Sequence, residues 1–259
     1  MYTDVHCHLN FKDYGNLDDL IENCLKFGVD LIITAGFDLP SSEEGMKIAE
    51  RYENVYFAAG LHPTELKGCE LSDLKRVEEL CAHPKCVALG EIGLDYHYPD
   101  TDKQKQMSFF KAQAELAADI KMPVQIHSRD CAAEMLEFLT ANAALLNNGA
   151  LLHCYSHSPE MAEKFARLGL YFSFGGTSTY RRSKKPRRAI EALPAERLLT
   201  ETDSPYLAPS SKYGQFPNTP ASIPEITASM AQLKGLDEGE MCSAVRRNAL
   251  KLFPKIKMQ

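Results

Sequence analysis

Thr3-Asp4-Val5-His6-Cys7-His8 is the stretch on which the fold turns. A short apolar, β-prone run from Tyr2 to Val5 leads into two histidines one residue apart. In an extended strand alternate side chains share a face, so His6 and His8 point inward together while Val5 and Cys7 point away. Two imidazoles so placed can grip one divalent cation, and they leave its other coordination positions to distant parts of the chain.

Runs of the same kind recur at a steady interval: Val29 to Thr34, Val55 to Ala59, Cys86 to Leu89, Pro123 to Ile126, Ala150 to Leu152, Leu170 to Phe174 and Arg197 to Thr200. Between them lie segments with helical periodicity, such as Leu17, Leu20, Ile21, Cys24 and Leu25, then Lys103 to Lys121 and Cys131 to Leu146. Apolar strands alternating with amphipathic helices imply a parallel sheet covered on its faces. Eight such units in 259 residues predict an α/β fold of the (β/α)8 TIM barrel type, with a doubly wound open sheet as the alternative. No linker, low-complexity tract or repeat interrupts the chain, so a single domain over 1–259 is expected. Met230, Leu233 and Leu236, then Met241, Val245, Leu250 and Leu252, give the tail from Ser222 to Phe253 two closing helices on the barrel's outside.

Hydrophobic residues make up 44% of the chain, enough for a substantial core. Neither a secretion signal nor a membrane-length apolar run is present, so a cytoplasmic protein without membrane association is expected. The eight cysteines are scattered, which predicts reduced thiols; Cys81 and Cys86 around His83 lack the second ligand pair of a zinc site. The net charge of −6 argues against a uniformly basic surface, yet Arg181-Arg182-Ser183-Lys184-Lys185-Pro186-Arg187-Arg188 inverts the balance locally.

Each ligand-type side chain follows a strand. His6 and His8 follow the first, His62 in Gly60-Leu61-His62-Pro63 the third, and Glu91 in Gly90-Glu91-Ile92-Gly93-Leu94-Asp95-Tyr96 the fourth. His127 follows the fifth, His153 the sixth and Asp203 the eighth. In a parallel barrel those C-terminal strand ends converge on one rim, where active sites of this fold are built. The nitrogen and oxygen donors exceed the needs of one ion and suit two divalent ions, with Glu91 able to bridge and a water held between them. The donor set fits Zn²⁺ or Mn²⁺, and Mg²⁺ where substrate phosphate completes its shell.

The chain resembles the TatD family of metal-dependent deoxyribonucleases, among the amidohydrolase-like barrels, over nearly its whole length. The resemblance rests on Asp4-Val5-His6-Cys7-His8, Gly60-Leu61-His62-Pro63, Gly90 to Tyr96, Pro123-Val124-Gln125-Ile126-His127-Ser128-Arg129, His153-Cys154-Tyr155-Ser156 and Glu201-Thr202-Asp203-Ser204-Pro205-Tyr206. It implies that His6, His8, Glu91 and Asp203 surround one metal and that Glu91, His127 and His153 surround the other. Two segments depart from the family pattern: His157 stands where a glycine is usual, and Gln215-Phe216-Pro217-Asn218-Thr219-Pro220 replaces a basic residue and Asn-Glu-Pro. Both belong to substrate-facing loops, so they bear on which ester fits.

The expected function is therefore hydrolysis of DNA phosphodiester bonds, with Asp203 as base, Glu91 as bridge and His62 at the scissile phosphate. Expected substrate contacts are His62, Arg129, Tyr155, Arg181 and Arg182, and Tyr180 is a further candidate for base stacking. Asp4 shares the face of His6 and His8, either orienting an imidazole or satisfied locally. The alternatives are another ester or amide hydrolase on the same barrel, such as a D-aminoacyl-tRNA deacylase, and a non-catalytic interaction protein. A monomer or weak oligomer is expected.

Overall fold

The computed structural model of the chain describes residues 1–257. Eight strands lie side by side in sequence order, every neighbouring pair parallel: β1 (Tyr2–Cys7), β2 (Val29–Ala35), β3 (Val55–Ala59), β4 (Cys86–Asp95), β5 (Val124–Arg129), β6 (Ala150–Leu152), β7 (Tyr171–Phe174) and β8 (Leu198–Thr200). Seven helices follow the first seven strands in turn: α1 (Leu17–Lys26), α2 (Leu39–Arg51), α3 (Leu74–Cys81), α4 (Lys103–Asp119), α5 (Ala132–Ala141), α6 (Pro159–Arg167) and α7 (Lys184–Ala192). The architecture is the (β/α)8 barrel, and the open sheet is excluded because β8 returns to β1.

That return is made by side chains and by the backbone just past β8. The Thr200 hydroxyl donates to the Thr3 carbonyl at 2.6 Å. Beyond the strand end, Asp203 N–H donates to His6 O and His8 N–H to Ser204 O. Asp4 accepts from the Thr202 N–H and hydroxyl and from His6 N–H, so its carboxyl is satisfied locally by these donors. Burial pushes its carboxyl up to about 8 against the pull of those donors.

The register between strands slips at Asp4/Cys7 on β1 and at Leu89/Ile92 on β4. Irregularities of this kind re-aim side chains beside active sites, and these two flank His6 and Glu91. β4 runs six residues past the end of its apolar stretch at Leu89, through Glu91 to Asp95, because Ile92 and Leu94 continue the buried pattern. α5 is shorter than its periodicity suggests: it stops at Ala141, and a 3₁₀ turn carries Ala143–Leu146. The tail forms α8 (Ile223–Lys234) and α9 (Glu238–Leu252), which pack against β1 and β8 on the outside. The core is continuous through the strands, with Phe57, Phe172 and Phe174 among its fully buried side chains.

Candidate metal centre

Glu91 stands at the middle of the rim, buried, on a strand that lies unusually close to its neighbour. A Cβ at Gly90 would approach Gln125 Cβ to 2.7 Å, and one at Gly93 would approach the His127 carbonyl oxygen to 2.1 Å. Gly93 also has φ of +143°, so glycine is required twice over. The closeness of β4 to β5 sets Glu91 against the histidines. Its Oε2 is 3.4 Å from His6 Nε2 and 3.9 Å from His8 Nε2. Its Oε1 is 2.6 Å from His153 Nε2, 2.8 Å from His127 Nδ1 and 3.2 Å from His62 Nε2. Asp203, held by the β8 to β1 closure, places Oδ1 3.4 Å from His8 Nε2 and 3.9 Å from His6 Nε2. Its backbone sits at φ of +51°.

The outer hydrogen bonds fix which ring nitrogens face inward bare. His8 Nδ1 lies 3.0 Å from the Ala35 carbonyl, which can only accept, so Nδ1 carries a proton and Nε2 is the nitrogen turned inward. Gln125 donates its amide to Val5 O, which turns Oε1 toward His6 Nδ1 at 2.8 Å and again leaves Nε2 bare. His6 Nε2 is a buried nitrogen without a hydrogen-bond partner among the described residues. Asp95 Oδ2, 3.0 Å from His127 Nε2, holds that ring with Nδ1 turned toward Glu91 at 2.8 Å. His62 is set the other way: the Thr64 N–H points at its Nδ1 from 3.2 Å, so Nε2 carries the proton toward Glu91.

Burial opposes ionisation of Glu91, but His153, His62 and His6 overcome it and hold the carboxyl well below its ordinary range. Asp203 is lowered despite burial by its His8 partner. Burial also disfavours charge on His153 and His8; Glu91 for the first and Asp203 for the second prevail, and both pKa values rise. His62 is lowered, since burial dominates there.

The centre thus gathers His6, His8, His62, Glu91, His127, His153 and Asp203 with Glu201 beside them, and three triads among these have ligand atoms close enough to hold an ion: His6, His8 and Asp203; His6, His153 and Glu201; His62, Glu91 and His127. The expected substrate contacts do not all fare alike. Arg129 is exposed at the end of β5 with its guanidinium 5.9 Å from the Tyr98 ring. Arg181 and Arg182 are exposed in the turn before α7. Tyr155 is a correction: it is 3% exposed, packs edge-on against Phe172 and Phe174, and donates its hydroxyl to Ser158 O, so its ring offers no face to a base. Tyr180 is partly buried, its hydroxyl tied to Ala208 O at 2.5 Å. His157 makes a 2.9 Å contact with the Ser128 hydroxyl. The Cys81, His83 and Cys86 loop holds no ligand cluster among the described residues, and all eight cysteines are free thiols.

Three residues of the site escape a reading of single motifs. Gln125 and Asp95 orient His6 and His127, although these two, like Glu201, sit inside quoted segments. Glu201 is fully buried; it accepts from the Ser173 hydroxyl and lies 3.8 Å from His153 Nδ1. A polar residue inside an otherwise apolar strand was the available signal for Gln125.

Comparison with known proteins agrees with the fold. The profile described as "TatD related DNase" matches residues 3–254. The uncharacterized metal-dependent hydrolase YabD of Bacillus subtilis is 35% identical over 254 residues, covering 98% of this chain and 99% of that protein. The 3'-5' ssDNA/RNA exonuclease TatD of Escherichia coli K12 is 32% identical over 255 residues, covering 96% and 98%. The crystal structure of YJJV, a TatD homologue from Escherichia coli K12, superposes with a TM-score of 0.92 at 31% identity, covering 98% of each chain. With matching motifs, matching fold and whole-length identity above the level at which families are recognised, the chain belongs to the TatD family of metal-dependent hydrolases.

Proposed function

We propose that the chain is a deoxyribonuclease that cleaves DNA phosphodiester bonds at a centre for two divalent ions. His6, His8, Glu91 and Asp203 would hold one ion; Glu91, His127 and His153 would hold the other. The observation that carries this reading is the convergence of inward-turned nitrogens of His6, His8 and His127 on two carboxylates, the buried Glu91 and the part-buried Asp203. Two carboxylates and several imidazole nitrogens gathered in one pocket attract positive charge, which a divalent cation supplies, and His6 Nε2 is buried without a hydrogen-bond partner among the described residues. The residues therefore fit the ions. When bound, zinc, manganese or magnesium would supply Lewis-acid charge for the phosphoryl oxygens and would acidify the attacking water.

The chain's own groups supply the rest. Asp203, ionised at neutral pH because His8 holds its carboxyl low, accepts the water's proton. His62 offers Nε2–H toward the pocket and donates to a non-bridging phosphate oxygen. Gln125, Asp95 and the Ala35 carbonyl keep the ligand rings from turning. Arg129, Arg181 and Arg182 draw the polyanion to the rim. The DNA substrate is supported by the relative named as an exonuclease on single-stranded DNA and RNA. In this reading the chain is one domain, cytoplasmic, and a monomer or weak oligomer.

The test is metal analysis and turnover together. The purified protein should carry about two ions per chain, and Asp203→Asn should lower cleavage of single-stranded DNA roughly 10²- to 10⁴-fold. A fully loaded protein that spares DNA but hydrolyses D-aminoacyl-tRNA would sink the nuclease reading.

A further inference from the structure

Among the described residues, four of the nine exposed large hydrophobic side chains fall within 206–216, the segment after β8: Tyr206, Leu207, Tyr213 and Phe216. Such clustering on a water-facing surface marks a binding site rather than a stray exposure. Phe216 is 60% exposed and Tyr206 53%. Phe216 lies 5.5 Å from the Phe11 ring, edge to face, and 6.1 Å from the Tyr206 ring. Three aromatic rings from two loops thus form one open shelf.

The shelf is continuous with the metal centre. The Phe11 N–H closes a turn on the carbonyl of His8, and the Tyr206 N–H closes a turn on the carbonyl of Asp203. Each ring is therefore anchored three residues past a candidate ligand of the same ion. The shelf is also held in place. Asn218, 3% exposed, donates its amide to Tyr206 O at 3.0 Å and accepts from the Ser222 hydroxyl at 2.8 Å. At its far side Tyr213 meets Tyr180 edge to face at 5.5 Å, and Arg181 and Arg182, both exposed, follow directly.

We propose that Phe11, Tyr206 and Phe216 stack the unpaired bases of a single DNA strand whose scissile phosphate sits at the centre, the strand running on toward Arg181 and Arg182. The inference rests on the nuclease reading for its substrate and goes beyond it in naming the surface that selects unpaired bases. Every base has a π-face, so an aromatic shelf accepts any sequence, whereas paired bases have no free face to give it. Guanidinium groups at the far end track the phosphates that accompany those bases. A neutral aliphatic partner would not call for cations at the end of the shelf.

The chain has no tryptophan, so Phe216→Trp places a single fluorophore on the shelf. With the magnesium-loaded protein, a phosphorothioate oligothymidylate should quench that fluorescence, and an abasic strand of equal length and charge should not. Fluorescence anisotropy of labelled oligothymidylate should weaken roughly 5- to 100-fold in Phe216→Ala and again in the Tyr206→Ala, Phe216→Ala pair, while Phe216→Tyr retains binding. Hydrolysis of a small chromogenic phosphodiester should be unchanged in all of them. Equal binding of oligothymidylate by the double variant and the natural chain, or equal binding of the abasic strand, overturns the shelf. Loss of binding in the double variant with no cleavage of DNA under any metal supports the shelf and defeats the nuclease reading.

Discussion

At the scale of single residues, the roles of His6, His8, His127 and His62 are decided by what touches the nitrogen away from the centre. Gln125 is the clearest case. Its side chain spans β5 and β1, donating to Val5 O and accepting from His6 Nδ1. Gln125→Leu keeps the volume but removes the acceptor, and His6 is then free to turn or change tautomer. Metal affinity should fall roughly 10- to 100-fold, read by titration of Mn²⁺ into the metal-free protein, with circular dichroism unchanged. Asp95→Ala should do the same through His127, while Asp95→Asn, which retains an acceptor oxygen, should recover most of the loss. If Asp95→Ala binds Mn²⁺ as the natural chain does, the orienting role is wrong. Tyr155 shows the opposite lesson. Its place beside His153 and Cys154 in the motif suggests a substrate contact, but its ring fills core space against Phe172 and Phe174.

At the scale of elements, the weak joint of the barrel is the closure between β8 and β1. β8 has three residues and no ladder to β1, and Thr200, Thr202 and Asp4 supply the bonds in its stead. Thr200→Val is nearly isosteric and leaves the Thr3 carbonyl buried without its donor. It should cost about 1–3 kcal/mol in urea unfolding. An unchanged midpoint would mean that the closure is carried by the segment past β8 alone. The strands and the long α4 segment are legible in the sequence because their apolar spacing is local. The extension of β4 through Glu91 to Asp95 is not, since glycine and glutamate look like a strand's end until β5 is seen lying against them.

At the scale of the whole molecule, the centre draws its candidate ligands from β1, β4, β5 and the segments after β6 and β8, so an ion bound there would tie the barrel across its diameter. Binding to the folded state alone stabilises it by about 2.7 kcal/mol at a hundredfold excess over Kd. Chelation should therefore lower Tm by several degrees, and Mn²⁺ should restore it; a Tm indifferent to chelator would mean that the ions bind too weakly to matter for stability. The alternation of eight strands with helices, and the polar residue at the end of six of them, were legible because each depends on neighbours two to four positions apart. The chain by itself thus determined the barrel, the family and the candidate ligands. Only the tertiary structure decided which nitrogens face the centre, that Glu201 lies beneath His153, that Asp4 seals the closure, and that Phe11 meets Phe216. Those pairings join residues many tens of positions apart, and they follow from strand register and closure, which no local pattern encodes.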